Sequence, residues 1–497
     1  MNHPVGQYQA AQLHRLGCAQ PCVSQSRCTR VRFTDHSDSY VLHLPGISIT
    51  SVTSIMDPTY RFTMSDKDQQ KLVSLDKSTK YGDFLKAIRE NMESENKQVN
   101  FKEQSSSKFV LSRIDSKMTQ ATIEAYPLDL PLNDRNIYVY KEEQAVFQHP
   151  PECIYDVRFV IPLLYHSVSP SLFVDCRDFI ARRCLALTLT GLSSEDYQMR
   201  ALCYKILERF YEHLLSHLMI DKQLWINFLD ILRASIPTPN ARLRFLFSTF
   251  LTRIIDILLH PHSDKMYELM KEFLAGKHRL RIDTIEIYED LLLCSDVDYY
   301  NNNLRWLITL FRDGIRSELD LKVIENLNVI PQVMLLYNSE LRFQRANETI
   351  ITLFKRIAIT KSGASLMVNS YSFLPWLHQV ILNCLHQDLN KLKHDPKSES
   401  LSDIAAEITS LVCILADKLL KKDKDEEYPT IQSLVEIINV FIALHDLIIK
   451  SKNCAILKHY LEYIRKVIKA IRKDRRIPDE LAVHLLRIVK AKLNYLT

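Results

Sequence analysis

From Ile154 onward, apolar residues recur at spacings of three and four in segment after segment, the period of amphipathic helices. The stretch 197–219 shows the pattern. Leu202, Ile206, Phe210, Leu214 and Leu218 form one stripe, which Cys203, Leu207 and Tyr211 widen. A stripe of that width predicts a helix covered by protein on more than one side. The breaks between segments carry helix start and stop chemistry: Ser193, Ser194, Glu195 and Asp196; Pro237, Pro239 and Asn240; Pro261, Ser263 and Asp264; a capping box at Asp283 and Glu286; Ser295 and Asp296; Pro331; and Pro478. Such punctuation predicts helices of roughly 12 to 25 residues. The charged stretches 391–400 and 421–429 are predicted loops.

Residues 1–150 read differently. Polar runs at 65–71 and 102–108 alternate with short β-like pieces at 40–44 and 137–140, and a single helical pattern covers 83–92. The expectation is a partly ordered N-terminal extension, 1–150, with short helices and strands, followed by a helical-repeat domain, 151–497. Antiparallel helices joined by short loops, with pairs recurring about every 40 residues, predict an all-α fold of the irregular armadillo/HEAT-like α-solenoid kind. No repeat is legible in the sequence itself, and a compact irregular helical domain is the alternative.

Composition sharpens this picture. The chain has 497 residues and only 8 glycines, whereas ordinary usage near 7% would supply about 35. Tight hairpins need residues tolerant of positive φ, so glycine scarcity argues against hairpin-rich folds. No two of the eight (Gly6, Gly17, Gly46, Gly82, Gly191, Gly276, Gly314, Gly363) fall within a few positions of each other. That excludes the G-x-G-x-x-G loop, the Walker A loop and the G-x-S-x-G elbow. The 11 cysteines, several inside helical patterns such as Cys203 and Cys413, read as reduced, buried thiols of an intracellular protein. The apolar stretch 437–449 is interrupted by Asn439, His445 and Asp446 and is too short to cross a bilayer. The N-terminus lacks a signal-peptide core. A soluble chain without a membrane partner is expected.

Candidate chemistry is sparse. His14, Cys18, Cys22 and Cys28 gather four zinc-type ligands at a spacing that fits no standard knuckle. His213 and His217 have the i, i+4 spacing of a metalloprotease helix without its glutamate, and read as surface or core-edge side chains. Asp296 and Asp298 suit a helix start. No serine, cysteine or lysine shows the surroundings of an activated nucleophile. The expectation is therefore no enzyme, no catalytic or metal-binding residue, no cofactor and no small-molecule substrate.

Charge gives the sharper feature. Residues 451–497 hold twelve Lys or Arg against four acidic residues, a balance of +8 in a chain whose total is +5. On a helix, Leu457, Leu461, Ile464, Ile468 and Ile471 line one face, and Lys458, Arg465, Lys469, Arg472 and Arg476 gather beside it, with Lys466 and Lys473 further round. The candidate phosphate-binding set is Arg465, Lys466, Lys469, Arg472, Lys473, Arg475 and Arg476, concentrating field where RNA phosphates bind. A solvated outer face and an acidic-protein, calmodulin-like or membrane-surface partner are the competing readings.

Several landmarks carry a family resemblance. Residues 155–164 (YDVRFVIPLL), then Leu192 to Asp196 with Met199, Arg200 and 207–211 (LERFY), then 260–267 (HPHSDKMY) with Phe273 and Leu274, then 304–314 (LRWLITLFRDG), and finally Ser362, Gly363, Ala364 and Trp376 follow in order. Together they resemble the C-terminal region of the nucleolar pre-ribosomal-associated protein 1 family, whose members are several times longer. Val157 departs from that pattern, which favours proline there. The resemblance implies a non-enzymatic nucleolar scaffold of the large (60S) subunit, acting with pre-ribosomal RNA and pre-60S assembly factors that include a DEAD-box helicase. It supplies no catalytic residue; on physical grounds Arg312, Asp313, Gly314 and Trp306 read as structural, Trp306 as core and Gly314 as a helix-end or close-packing position. The rival from another class is a cytoplasmic armadillo-type adaptor with no RNA role.

Overall fold

A computed structural model of the chain describes residues 106–134, 153–294, 297–339, 343, 346–360, 362–386, 401–420 and 431–451, with 457, 460, 461, 463–467, 469, 483 and 487 beyond them. Among these residues the fold is all helical and contains no strand. In chain order the helices are α1 (Ser106–Arg113), α2 (Ser116–Glu124), α3 (Val157–Ser167), α4 (Cys176–Ala181), α5 (Cys184–Gly191), α6 (Tyr197–Ser216), α7 (Lys222–Ser235), α8 (Phe245–Leu258) and α9 (Tyr267–Ala275). There follow α10 (Tyr288–Leu292), α11 (Val297–Gly314), α12 (Glu318–Asn326), α13 (Val329–Tyr337), α14 (Ala346–Ile359), α15 (Gly363–Tyr371), α16 (Phe373–His386), α17 (Leu401–Leu420) and α18 (Ile431–Ser451).

One set of helices forms a continuous column. Helix α2 packs on α5, α5 on α8, α8 on α11, α11 on α14, α14 on α17 and α17 on α18. The helices between them cover its flanks, as α6 covers α3 and α5, and α10 covers α11. From α5 to α17 the column members begin at residues 184, 245, 297, 346 and 401, a wider interval than the forty-residue period expected. Helix α5 shows why the column sits inside: all eight of its residues are buried, so it has no solvent face. Phe210, Phe250, Phe311, Phe354 and Phe373 are fully buried along the interior, each stabilising by about 1.5–3 kcal/mol relative to exposure.

Aspartate caps several of the helices in this glycine-poor chain. Asp115, Asp156, Asp175 and Asp196 each accept a backbone N–H of the first turn, at α2, α3, α4 and α6. Asp196 does more than cap, because its Oδ2 accepts from Met199 N at 3.1 Å and from Leu132 N at 3.0 Å. Leu111, Ile114, Ile123, Tyr126, Leu130 and Leu132 lie in the same core as the column. Asp196→Ala should therefore cost about 1–2 kcal/mol and speed hydrogen exchange at both Met199 and Leu132. Exchange unchanged at Leu132 would show that the second bond does not hold that segment.

Two local readings are corrected. The helix expected over 197–219 stops at Ser216, because His217 turns to extended backbone while its N–H still closes on the His213 and Leu214 carbonyls; Leu218, placed on the core stripe, is 96% exposed. Apolar spacing simply continued into the loop. Glu286 caps no helix: it accepts Lys277 Nζ at 2.5 Å and Arg281 N at 2.6 Å. Pro331 lies in the first turn of α13, where an absent N–H costs no helical bond. The pieces at 40–44, 83–92 and 137–140, His14 with its three cysteines, and Asp296 lie outside the described residues.

Candidate functional site

The column is tied laterally by charge. Arg183, which precedes α5 with φ 62°, reaches Asp256 of α8 at 2.5 and 2.6 Å and Gln120 of α2 at 2.7 Å. Arg253 of α8 pairs with Asp313 of α11 and also donates to Thr309 Oγ1 at 2.7 Å and to the Trp306 carbonyl at 3.1 Å. Lys355 of α14 pairs with Glu407 of α17. Such partly buried bonds fix which helix meets which, more than they add net stability.

Around Asp313 the positive charge is dense. Arg312 bonds it at 2.6 Å, and its field also reaches Arg316 and Arg356. Burial pulls Arg253, Arg316 and Arg356 below the usual arginine range, yet a guanidinium stays charged in protein. Arg316 lies 4.4 Å from the Phe245 ring and donates to the Tyr126 carbonyl at 3.1 Å. Fully buried Asp320 accepts Leu246 N at 2.9 Å, Ser317 N at 2.9 Å and Ser317 Oγ at 2.6 Å. It thus satisfies an N–H at the start of α8, where Arg244 provides no side-chain cap. Helical periodicity gave no sign of this cluster. Its available signal was an arginine inside each of two apolar helices, Arg253 and Arg356.

The basic C-terminal face is described in part. Tyr460, Ile464 and Val467 are buried, with Leu457 and Leu461 packed against the core. Arg465, Lys466 and Lys469 are exposed, and Lys466 Nζ lies 4.3 Å from the Tyr463 ring. Burial raises the Tyr460 hydroxyl pKa; that hydroxyl donates to the Phe441 carbonyl at 3.1 Å, joining this face to α18. Arg472, Lys473, Arg475 and Arg476 lie outside the described residues. The core-and-basic arrangement therefore holds at the positions described, with Tyr460 and Val467 added to the apolar side.

Other candidates resolve into packing. His213 Nε2 lies 3.2 Å from the Val168 carbonyl and 3.1 Å from that of Ser169, whereas the His217 ring lies 5.8 Å from Phe173. Among the described residues no cluster of three or more His, Cys, Asp or Glu could hold a metal ion, and no helix is long and apolar enough to cross a membrane. Cys176, Cys184 and Cys203 are buried free thiols, and burial pushes Cys176 up to about 12 and raises the other two as well, which suppresses the thiolate. Trp306 is half-buried, edge-on to Phe250 at 6.2 Å. Gly314 is a close-packing position, since a Cβ there would lie 2.5 Å from Leu246 Cδ1.

Among the described residues these features define an all-helical stack with a charge-tied interior and exposed cations at Arg465, Lys466 and Lys469. Residues 185–376 match the family model described as Nucleolar pre-ribosomal-associated protein 1. It is 26% identical over 275 residues to Nucleolar pre-ribosomal-associated protein 1 of Homo sapiens and 27% identical over 276 residues to that of Mus musculus. Each alignment covers 55% of this chain and 12% of the relative. No solved structure matches the chain. The matched segment runs from α5 to Trp376 in α16 and contains the Asp313 cluster.

Proposed function

We propose that the chain is a non-enzymatic nucleolar scaffold in 60S subunit biogenesis, supporting folding and processing of pre-ribosomal RNA within early pre-60S particles. The observation that carries this is the family match over 185–376. On this reading its partners are pre-ribosomal RNA and assembly factors, a DEAD-box helicase among them, and its compartment is the nucleolus. The column of helices supports an irregular armadillo/HEAT-like solenoid, because successive column members pack one on the next, as in such arrays. A scaffold of this kind acts by holding surfaces in place.

The exposed Arg465, Lys466 and Lys469 support a role for the C-terminal face in phosphate contact, with Arg472, Lys473, Arg475 and Arg476 extending the same run in sequence. Such contacts position a protein on RNA without reading its sequence. In-cell crosslinking tests the whole proposal: pre-ribosomal RNA should be enriched and the chain should sediment with pre-60S particles. Background RNA recovery with cytoplasmic sedimentation would favour the adaptor reading instead. For the 497-residue chain, affinity for structured RNA should fall steeply with salt, and Arg465→Glu with Lys469→Glu should reduce the log–log slope by roughly one to two. An unchanged slope returns this face to solvent.

A further inference from the structure

Between α6 and α7 lies an open groove of about 300 Å³ that the interior packing does not use. Leu207, Leu229 and Leu232 form its buried floor, and Leu215 is its half-exposed lip. Beyond that lip the connecting loop carries Leu218 at 96% and Ile220 at 101% exposure. Leaving such side chains in water forfeits about 1.5–3 kcal/mol each, and clustered exposed apolar residues beside a groove mark an interaction surface.

The rim carries three carboxylates and two cations. Glu208 and Glu212 line it from α6, and Asp230 on α7 accepts the Tyr211 hydroxyl at 2.9 Å across the mouth. Lys205 pairs with Glu208, and Arg233 is the one cation among the lining residues. The last carbonyls of α6 accept the Ser216 hydroxyl, His217 N and Lys222 Nζ, so that end of the helix adds no negative charge of its own. A phosphate backbone meets an apolar floor and carboxylates here, so RNA is disfavoured.

We infer that this groove binds an amphipathic helical segment of a protein partner, one that presents leucine-like side chains to the Leu207, Leu229 and Leu232 floor and lysine or arginine to Glu208 and Glu212. A helix laid in a groove supplies anchors at i, i+3, i+4 and i+7, and the apolar lining of Leu207, Leu229, Leu232, Leu215 and Ile236 suits that row. The surface differs in chemistry and in residues from the basic C-terminal face, so it stands whether or not that face binds RNA.

The test uses the whole chain and a fluorescent peptide of about 16 residues with leucines at those helical positions and lysines on the flanks. The peptide should bind. Leu215→Glu should weaken it by about tenfold or more, and Glu212→Lys by about threefold with a smaller salt dependence. Both positions are exposed or half-exposed, so an unchanged thermal melt should accompany both losses. Equal binding of a glutamate-flanked peptide overturns the inference, as does undiminished binding to Leu215→Glu, or no binding to the original chain. A photoreactive phenylalanine analogue in place of Leu215 should cross-link the peptide; a cross-link only to the chain's own residues 1–105 or to an RNA oligonucleotide would overturn it too.

Discussion

Replacing Asp313 with alanine is expected to remove about 3–5 kcal/mol of stability, the cost typical of stranding one side of a buried ion pair. Arg253 and Arg312 bond this carboxylate directly, and Arg316 and Arg356 depend on its field. Two guanidinium groups thus lose their bonded anion, at side chains whose exposure is 20% for Arg253, 19% for Arg312 and 15% for Asp313. Against a total stability of about 5–15 kcal/mol for a typical domain, the loss is severe. Urea is the denaturant to use, because guanidinium salt screens the charges being measured. The double variant Arg253→Met with Asp313→Leu should recover part of the loss, since an apolar pair can replace an ionic one. Recovery should be incomplete, because Arg312, Arg316 and Arg356 remain. A loss under about 1 kcal/mol for Asp313→Ala would put the cluster in the class of solvent-screened pairs.

That cluster marks where sequence reading ends. The cap at Asp196 and the stripe of α6 through Leu214 were legible, because capping and helical period are local properties of a few residues. The placing of Gly191, Gly276, Gly314 and Gly363 at helix ends followed from the same logic. What joins α8 to α11 was not legible: Arg253 and Asp313 are 60 positions apart, and nothing in either helix announces the other. The same holds for Arg316 and the Tyr126 carbonyl, separated by 190 positions. Residues 106–134 show a related difficulty. Their start reads as a polar run, yet their few apolar positions enter the shared core, which only the packed partner reveals. For the candidate interface, the basic side of the C-terminal stretch was legible from charge alone, whereas the groove between α6 and α7 was hidden. Its leucines satisfy the helical stripe whether they are covered or left open.

Gly363→Ala is expected to destabilise by about 2–4 kcal/mol, at or above the upper end for overpacking, whereas Gly276→Ala should change stability by less than about 1 kcal/mol. The sequence treats the two alike, as glycines at helix ends. A Cβ at Gly363 would lie 1.9 Å from the Ile357 carbonyl oxygen, 2.8 Å from its carbon and 2.3 Å from Thr360 Oγ1. Two of those atoms are backbone, and the third is held by a bond to the same carbonyl at 2.7 Å, so no side chain can swing away. The C-terminal turn of α14 or the start of α15 must shift, and with it the edge-on contact at 4.8 Å between Phe354 of α14 and Phe373, which opens α16 directly after α15. At Gly276 the nearest atom to a new Cβ is 3.6 Å away, and φ of −81° is helical backbone that alanine adopts freely. Alanine there also reduces the freedom of the unfolded chain, which favours folding slightly. Urea unfolding of the two variants measures the contrast. Similar small losses for both would mean that the α14–α15 junction relaxes cheaply, and that close backbone approach is not why glycine stands at 363.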